Sequence, residues 1–91
     1  MIDFILGENK HVRFLVCSRK EESFSINSAS WELYYDGQLE ASGSCDIEKR
    51  DIGLYLDIML EPKIRSGKYL LMITYLVGDE TKKHVERMEV R

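Results

Sequence analysis

The chain has 91 residues, a net charge of −3 and 44% apolar residues. That length suits one domain spanning residues 1–91, which buries roughly 65% of its unfolded surface around one core. The charge balance and the lack of a basic stripe give no footprint for nucleic acid, and the composition is that of a globular chain, not a disordered one.

The opening MIDFILGENK has neither a basic leader nor a long apolar run, so no signal peptide is expected. No apolar stretch reaches the length of a membrane-spanning helix. A short first strand is closed by the turn Gly7–Lys10, GENK. Val12, Phe14 and Val16 then alternate with His11, Arg13 and Leu15. A period of two is the mark of a half-buried strand. The charged stretch Arg19–Ser23 reads as a loop.

Next comes SASWELYYDGQLEASGSC, from Ser28 to Cys45. Trp31, Leu33 and Tyr35 share one parity and are assigned to the core, with Tyr34 on the other side. Asp36-Gly37 is the strongest hairpin signal in the chain, because the pair suits a type I′ turn. Leu39, Ala41, Gly43, Cys45 and Ile47 share a parity that places Cys45 inward. The segment DIEKRD, Asp46–Asp51, is too short and polar for a stable helix.

Ile52, Leu54, Leu56, Ile58 and Leu60 form another inward set, with Tyr55 and Met59 outward. EPKIRSG, Glu61–Gly67, is a loop. Tyr69 follows it as a Gly-x-Tyr, in the manner of a tyrosine corner with a buried ring and a hydroxyl bonded to nearby backbone. Tyr69, Leu71, Ile73, Tyr75 and Val77 point in, while Leu70, Met72 and Leu76 point out. GDE, Gly78–Glu80, turns the chain into the last strand, where Val85 is odd and Met88 and Val90 are even. A bulge near Glu86-Arg87 would reconcile them and blunt an edge. The sum is an all-β, immunoglobulin-like β-sandwich of about seven antiparallel strands.

No catalytic constellation is visible. Neither His11 nor His84 lies in a motif with a serine or cysteine nucleophile. Cys17 and Cys45 fit no zinc spacing, and their opposed parities favour two unpaired thiols, with Cys17 outward or at its strand end. Glu21-Glu22 and Asp79-Glu80 lack the spacing of a calcium loop. There is no phosphate-cradling glycine loop. The chain is therefore read as non-enzymatic, without cofactor or metal.

The outward residues Tyr34, Tyr55, Leu70, Met72 and Leu76 are the candidate interface. A contiguous outward apolar patch is either covered by a loop or terminus of the chain itself or marks a protein partner. The alternative is a small ligand- or carbohydrate-binding module in which Tyr34 and Tyr55 stack on sugar. A third reading is a host regulatory protein.

The order IDFILGENKHVRFLV, SINSASWELYYDGQLEASG, then IGLYLDIMLEPKIRSGKYLLMITYLVGDETKKHVERMEVR resembles the immunoglobulin-like domains of tailed-phage structural proteins. It is most similar to the N-terminal domain of phage baseplate upper proteins. The resemblance implies a β-sandwich module of a baseplate or fibre, made in the bacterial cytoplasm and built into a virion. Its partners would be further copies or other phage structural proteins, with no catalytic residues to carry over. The chain departs from that pattern by ending at Arg91 and by its charged Arg19–Ser23 loop.

Overall fold

A computed structural model describes residues 1–16, 26–50 and 53–91, with the side chain of Arg50 outside the description. The expectations for Cys17, for the Arg19–Ser23 loop and for Glu21-Glu22 lie outside the described residues. Eight strands are formed: β1 (Ile2–Phe4), β2 (Lys10–Val16), β3 (Ser28–Tyr35), β4 (Gln38–Ser44), β5 (Asp46–Arg50), β6 (Gly53–Leu60), β7 (Tyr69–Val77) and β8 (Glu80–Val90). They make a five-stranded sheet in the order β1-β8-β7-β3-β4 and a three-stranded sheet in the order β2-β6-β5. No helix among the described residues is long and apolar enough to cross a membrane.

One apolar cluster joins the two sheets. Phe4, Leu33, Leu71, Ile73, Met88 and Val90 come from the larger sheet, and Leu54, Leu56, Ile58 and Leu60 from the smaller. These are the parity sets read from the sequence, because alternate residues of a strand share a face. Trp31 and Tyr35 pack against this cluster but are only partly buried.

Turn chemistry explains the hairpins. Asp36 and Gly37 both have positive φ, 47° and 80°, as a type I′ turn requires. Gly78 alone is positive in its turn, at 63°, the pattern of type II′. Each pair of residues connects directly matched strand ends, Tyr35 with Gln38 and Val77 with Glu80.

Three expectations are corrected. Among the described residues the strand count is eight, because the run of shared parity from Leu39 to Ile47 belongs to two strands. The chain leaves the larger sheet after Ser44 and enters the smaller at Asp46, with buried Cys45 at the crossing. Second, no bulge interrupts β8. Its register with β7 runs unbroken from Tyr69↔Met88 to Val77↔Glu80, so Val85 faces out and is 51% exposed. Nor is the end of β8 an edge, since β1 pairs with it in parallel over Met88–Val90. Third, the bulge lies between β3 and β4. Leu33 opposes Ala41 while Tyr34 opposes Leu39, which leaves Glu40 as the extra residue. The parity of β4 therefore flips, and Leu39 is 55% exposed instead of inward.

Candidate functional site

The outer face of the five-stranded sheet is ordered in cross-strand rows. One row reads Leu39, Tyr34, Leu70, Arg87. The next reads Ser42, Glu32, Met72, Val85. Beyond it come Ser44, Ser30, Thr74 and Lys83. Directly opposed side chains on one face are in contact range. Leu39, Tyr34, Leu70, Met72 and Val85 thus form an apolar band across four strands, about 15 Å wide at the usual strand spacing. The band has a serine- and threonine-rich surface on one side. Charged Glu32 and Arg87 interleave with it.

Of the predicted interface residues, Tyr34, Leu70 and Met72 are brought together here. Leu76 shares the face but lies further along β7, opposite Ser28 and Thr81. Tyr55 does not join them. It sits on β6 in the smaller sheet, between Leu15 and Glu48. The two tyrosines are on different sheets, so they do not form one stacking platform. Leu39 and Val85 were missed because a local bulge, placed in the wrong strand, inverted the parity of both. No local signal marked the bulge, because Glu40 between Leu39 and Ala41 fits a regular alternation equally well.

Tyr34 is anchored within the face. Its hydroxyl donates to Glu32 Oε2 at 2.7 Å. That bond raises the phenol pKa above its ordinary value, and partial burial adds to it. The hydroxyl bond thereby holds the ring in a defined pose on the outer face.

The outer face of the smaller sheet mixes charged His11, Arg13 and Asp57 with Leu15, Tyr55 and Met59. His11 Nδ1 lies 2.8 Å from Asp57 Oδ1, and Arg13 Nε donates to Asp57 Oδ2 at 3.3 Å. The His11 hydrogen bond is the largest cause holding the Asp57 carboxyl below its ordinary range. Burial opposes it, and the His11 and Arg13 charges reinforce it. This arrangement fixes a carboxylate on a strand. It places no nucleophile beside the imidazole among the described hydrogen bonds.

A polar pair lies under the Glu61–Lys68 loop. The Tyr69 hydroxyl donates to Glu40 Oε1 at 2.6 Å and accepts from the Ile64 N–H at 3.0 Å. The ring is 1% exposed. This matches the expected buried ring with backbone-bonded hydroxyl. Burial, then the Glu40 hydrogen bond, pushes the phenol up to about 12.

An open cavity of about 270 Å³ lies between the sheets, lined by Phe14, Val16, Leu56, Ile73, Tyr75 and His84. The His84 ring meets the Phe14 ring edge-on at 5.5 Å. Cys45 is a buried free thiol, pushed up to about 11 chiefly by burial. It is a packing group and a poor nucleophile. Among the described residues no group of three or more histidine, cysteine or acidic side chains is placed to hold a metal ion.

No protein-family model matches the chain, and no curated protein matches its sequence.

Proposed function

We propose that this chain is a non-enzymatic assembly module that docks a protein partner on the outer face of its five-stranded sheet. The observation that carries the reading is the contiguous band Leu39, Tyr34, Leu70, Met72 and Val85. Leu39, Val85 and Leu70 are 55%, 51% and 41% exposed. Scattered exposed apolar residues are ordinary, but a contiguous patch framed by polar groups is the usual mark of an interface. The central tyrosine is the residue type that dominates interface energetics.

An immunoglobulin-like topology is part of the proposal. Its support is the strand order. β1-β8-β7-β3-β4 against β2-β6-β5 follows the pairing of G, F, C and C′ against B, E and D, with the first strand parallel to the last. Trp31 then falls on the strand equivalent to C, and Tyr69 at the start of the one equivalent to F. The support for placement in a phage or prophage tail is the resemblance in feature order.

The test is solution mass by sedimentation across concentration, for the wild type and for Leu70→Glu. A defined assembly that dissociates on Leu70→Glu is the expected result. An assembly indifferent to Leu70→Glu and Met72→Glu removes the face from consideration. A carbohydrate-binding reading would have to rest on Tyr34 or Tyr55 alone, since the two lie on different sheets.

A further inference from the structure

β2 and β8 come together where the Phe14 ring meets the His84 ring. His84 opposes Ile73 and Lys82 opposes Tyr75 across β7 and β8, so all four share the inner face of the larger sheet. Phe14 opposes Leu56 on the inner face of the smaller sheet. Between these side chains the packing leaves the open cavity of about 270 Å³. Its floor is core, since Leu56 and Ile73 are each 1% exposed. Phe14, Val16 and Tyr75 are half-buried walls, and exposed His84 stands at the mouth.

The lining selects by size and by polarity. A cavity of about 150 Å³ takes up benzene, so this one has room for a single ring with a short substituent. Phe14, Tyr75 and His84 give it aromatic walls. The Phe14 and His84 rings already meet edge to face, at 5.5 Å and 63°, an arrangement that a guest ring can extend. The Tyr75 hydroxyl has no hydrogen-bond partner among the described residues, so it is free to donate to a guest or accept from one. The basic groups of β8 on this face are already paired. Lys82 Nζ lies 2.9 Å from Glu80 Oε2, and His84 Nε2 lies 3.0 Å from Glu86 Oε1. A guest carboxylate would therefore be buried against apolar walls with no unpaired cation of β8 to meet it, which is costly. A sugar is disfavoured on similar grounds, because one phenol cannot satisfy a ring of hydroxyls.

We propose that this cavity is a binding site for a small uncharged aromatic molecule carrying one hydroxyl, a phenol. Its ring would lie among Phe14, Tyr75 and His84, with its hydroxyl bonded to that of Tyr75. The site is on the inner face of β7 and the apolar band is on the outer face, so it stands apart from the docking reading.

The test is nuclear magnetic resonance titration of the full chain with p-cresol, with toluene and benzoate as comparison probes. The expected result is saturable shifts of the Val16, Leu56 and Ile73 methyl groups, with a dissociation constant of about 1 mM or lower. Tyr75→Phe should weaken p-cresol about fivefold and leave toluene unchanged. Benzoate should bind about tenfold or more weakly than p-cresol. Val16→Phe, which fills the cavity, should abolish binding of both neutral probes, with circular dichroism to confirm folding. Tyr75→Phe keeps the ring, so it decides the matter if Val16→Phe does not fold. Leu70→Glu, on the opposite face, should bind p-cresol as wild type does. No saturable shift up to about 10 mM p-cresol overturns the site, as do shifts confined to the outward band. Benzoate bound as tightly as p-cresol, or p-cresol affinity unchanged in Tyr75→Phe, overturns the assignment of a phenol.

Discussion

The Tyr69 hydroxyl reaches Glu40 Oε1 at 2.6 Å because the β4 bulge turns Glu40 out of the regular alternation. Glu40 Oε2 is buried and has no hydrogen-bond partner among the described residues. A carboxylate is thus held at the start of β7 by a phenol that also caps the Ile64 N–H. Tyr69→Phe removes the acceptor for Ile64 and the donor for Glu40 while keeping the ring. The expected cost is about 1–3 kcal/mol, the penalty for leaving buried polar groups unpaired. Urea denaturation with an unchanged m-value is the check.

The same phenol sets an alkaline limit. Its folded pKa, about 12, lies above the ordinary value of 10.0. Its stabilising contribution is therefore whole below pH 10 and is lost as pH rises from about 10 through about 12. A tyrosinate absorbance titration should show a late-titrating phenol that is missing in Tyr69→Phe. A Tyr69→Phe profile identical to wild type would contradict the assignment.

Asp57 works at the opposite end of the scale. Its folded pKa lies below the ordinary 3.8, with the His11 hydrogen bond as the largest cause. Its contribution is present above about pH 4 and is lost as pH falls through the folded value. Nuclear magnetic resonance titration of the carboxyl should show the depressed pKa in the wild type and a rise toward the ordinary value in His11→Ala. With both imidazole and guanidinium exposed, screening keeps the stability effect small.

Trp31 covers Gly43, its cross-strand partner in β4. A Cβ at Gly43 would stand 3.0 Å from Trp31 Nε1 and 3.2 Å from Cε2. Gly43→Ala should cost about 1 kcal/mol or more, as the indole must move to admit the methyl. Trp31→Ala should cost about 3 kcal/mol, the lower end for a large aromatic, because the ring is only partly buried. Thermal melts of both variants test this. A loss below about 1 kcal/mol in Trp31→Ala would show that the ring contributes little to the core.

Periodicity and turn residues in the sequence determined the all-β class, the inward sets of β2, β3, β6 and β7, the Asp36-Gly37 hairpin and the burial of Cys45 and Tyr69. Those are local properties: alternation assigns faces, and turn residues assign reversals. Only the tertiary structure decided which strands are neighbours, and that separated Tyr55 from Tyr34, Leu70 and Met72. It also decided where alternation breaks. Glu40 is tolerated as an extra residue because Tyr69, far away in sequence, offers its hydroxyl. Val85 faces out because β8 stays in register with β7. Whether a break in parity belongs to one strand or another depends on partners that no local stretch can name, so Leu39 and Val85 joined the exposed band only once the sheets were assembled.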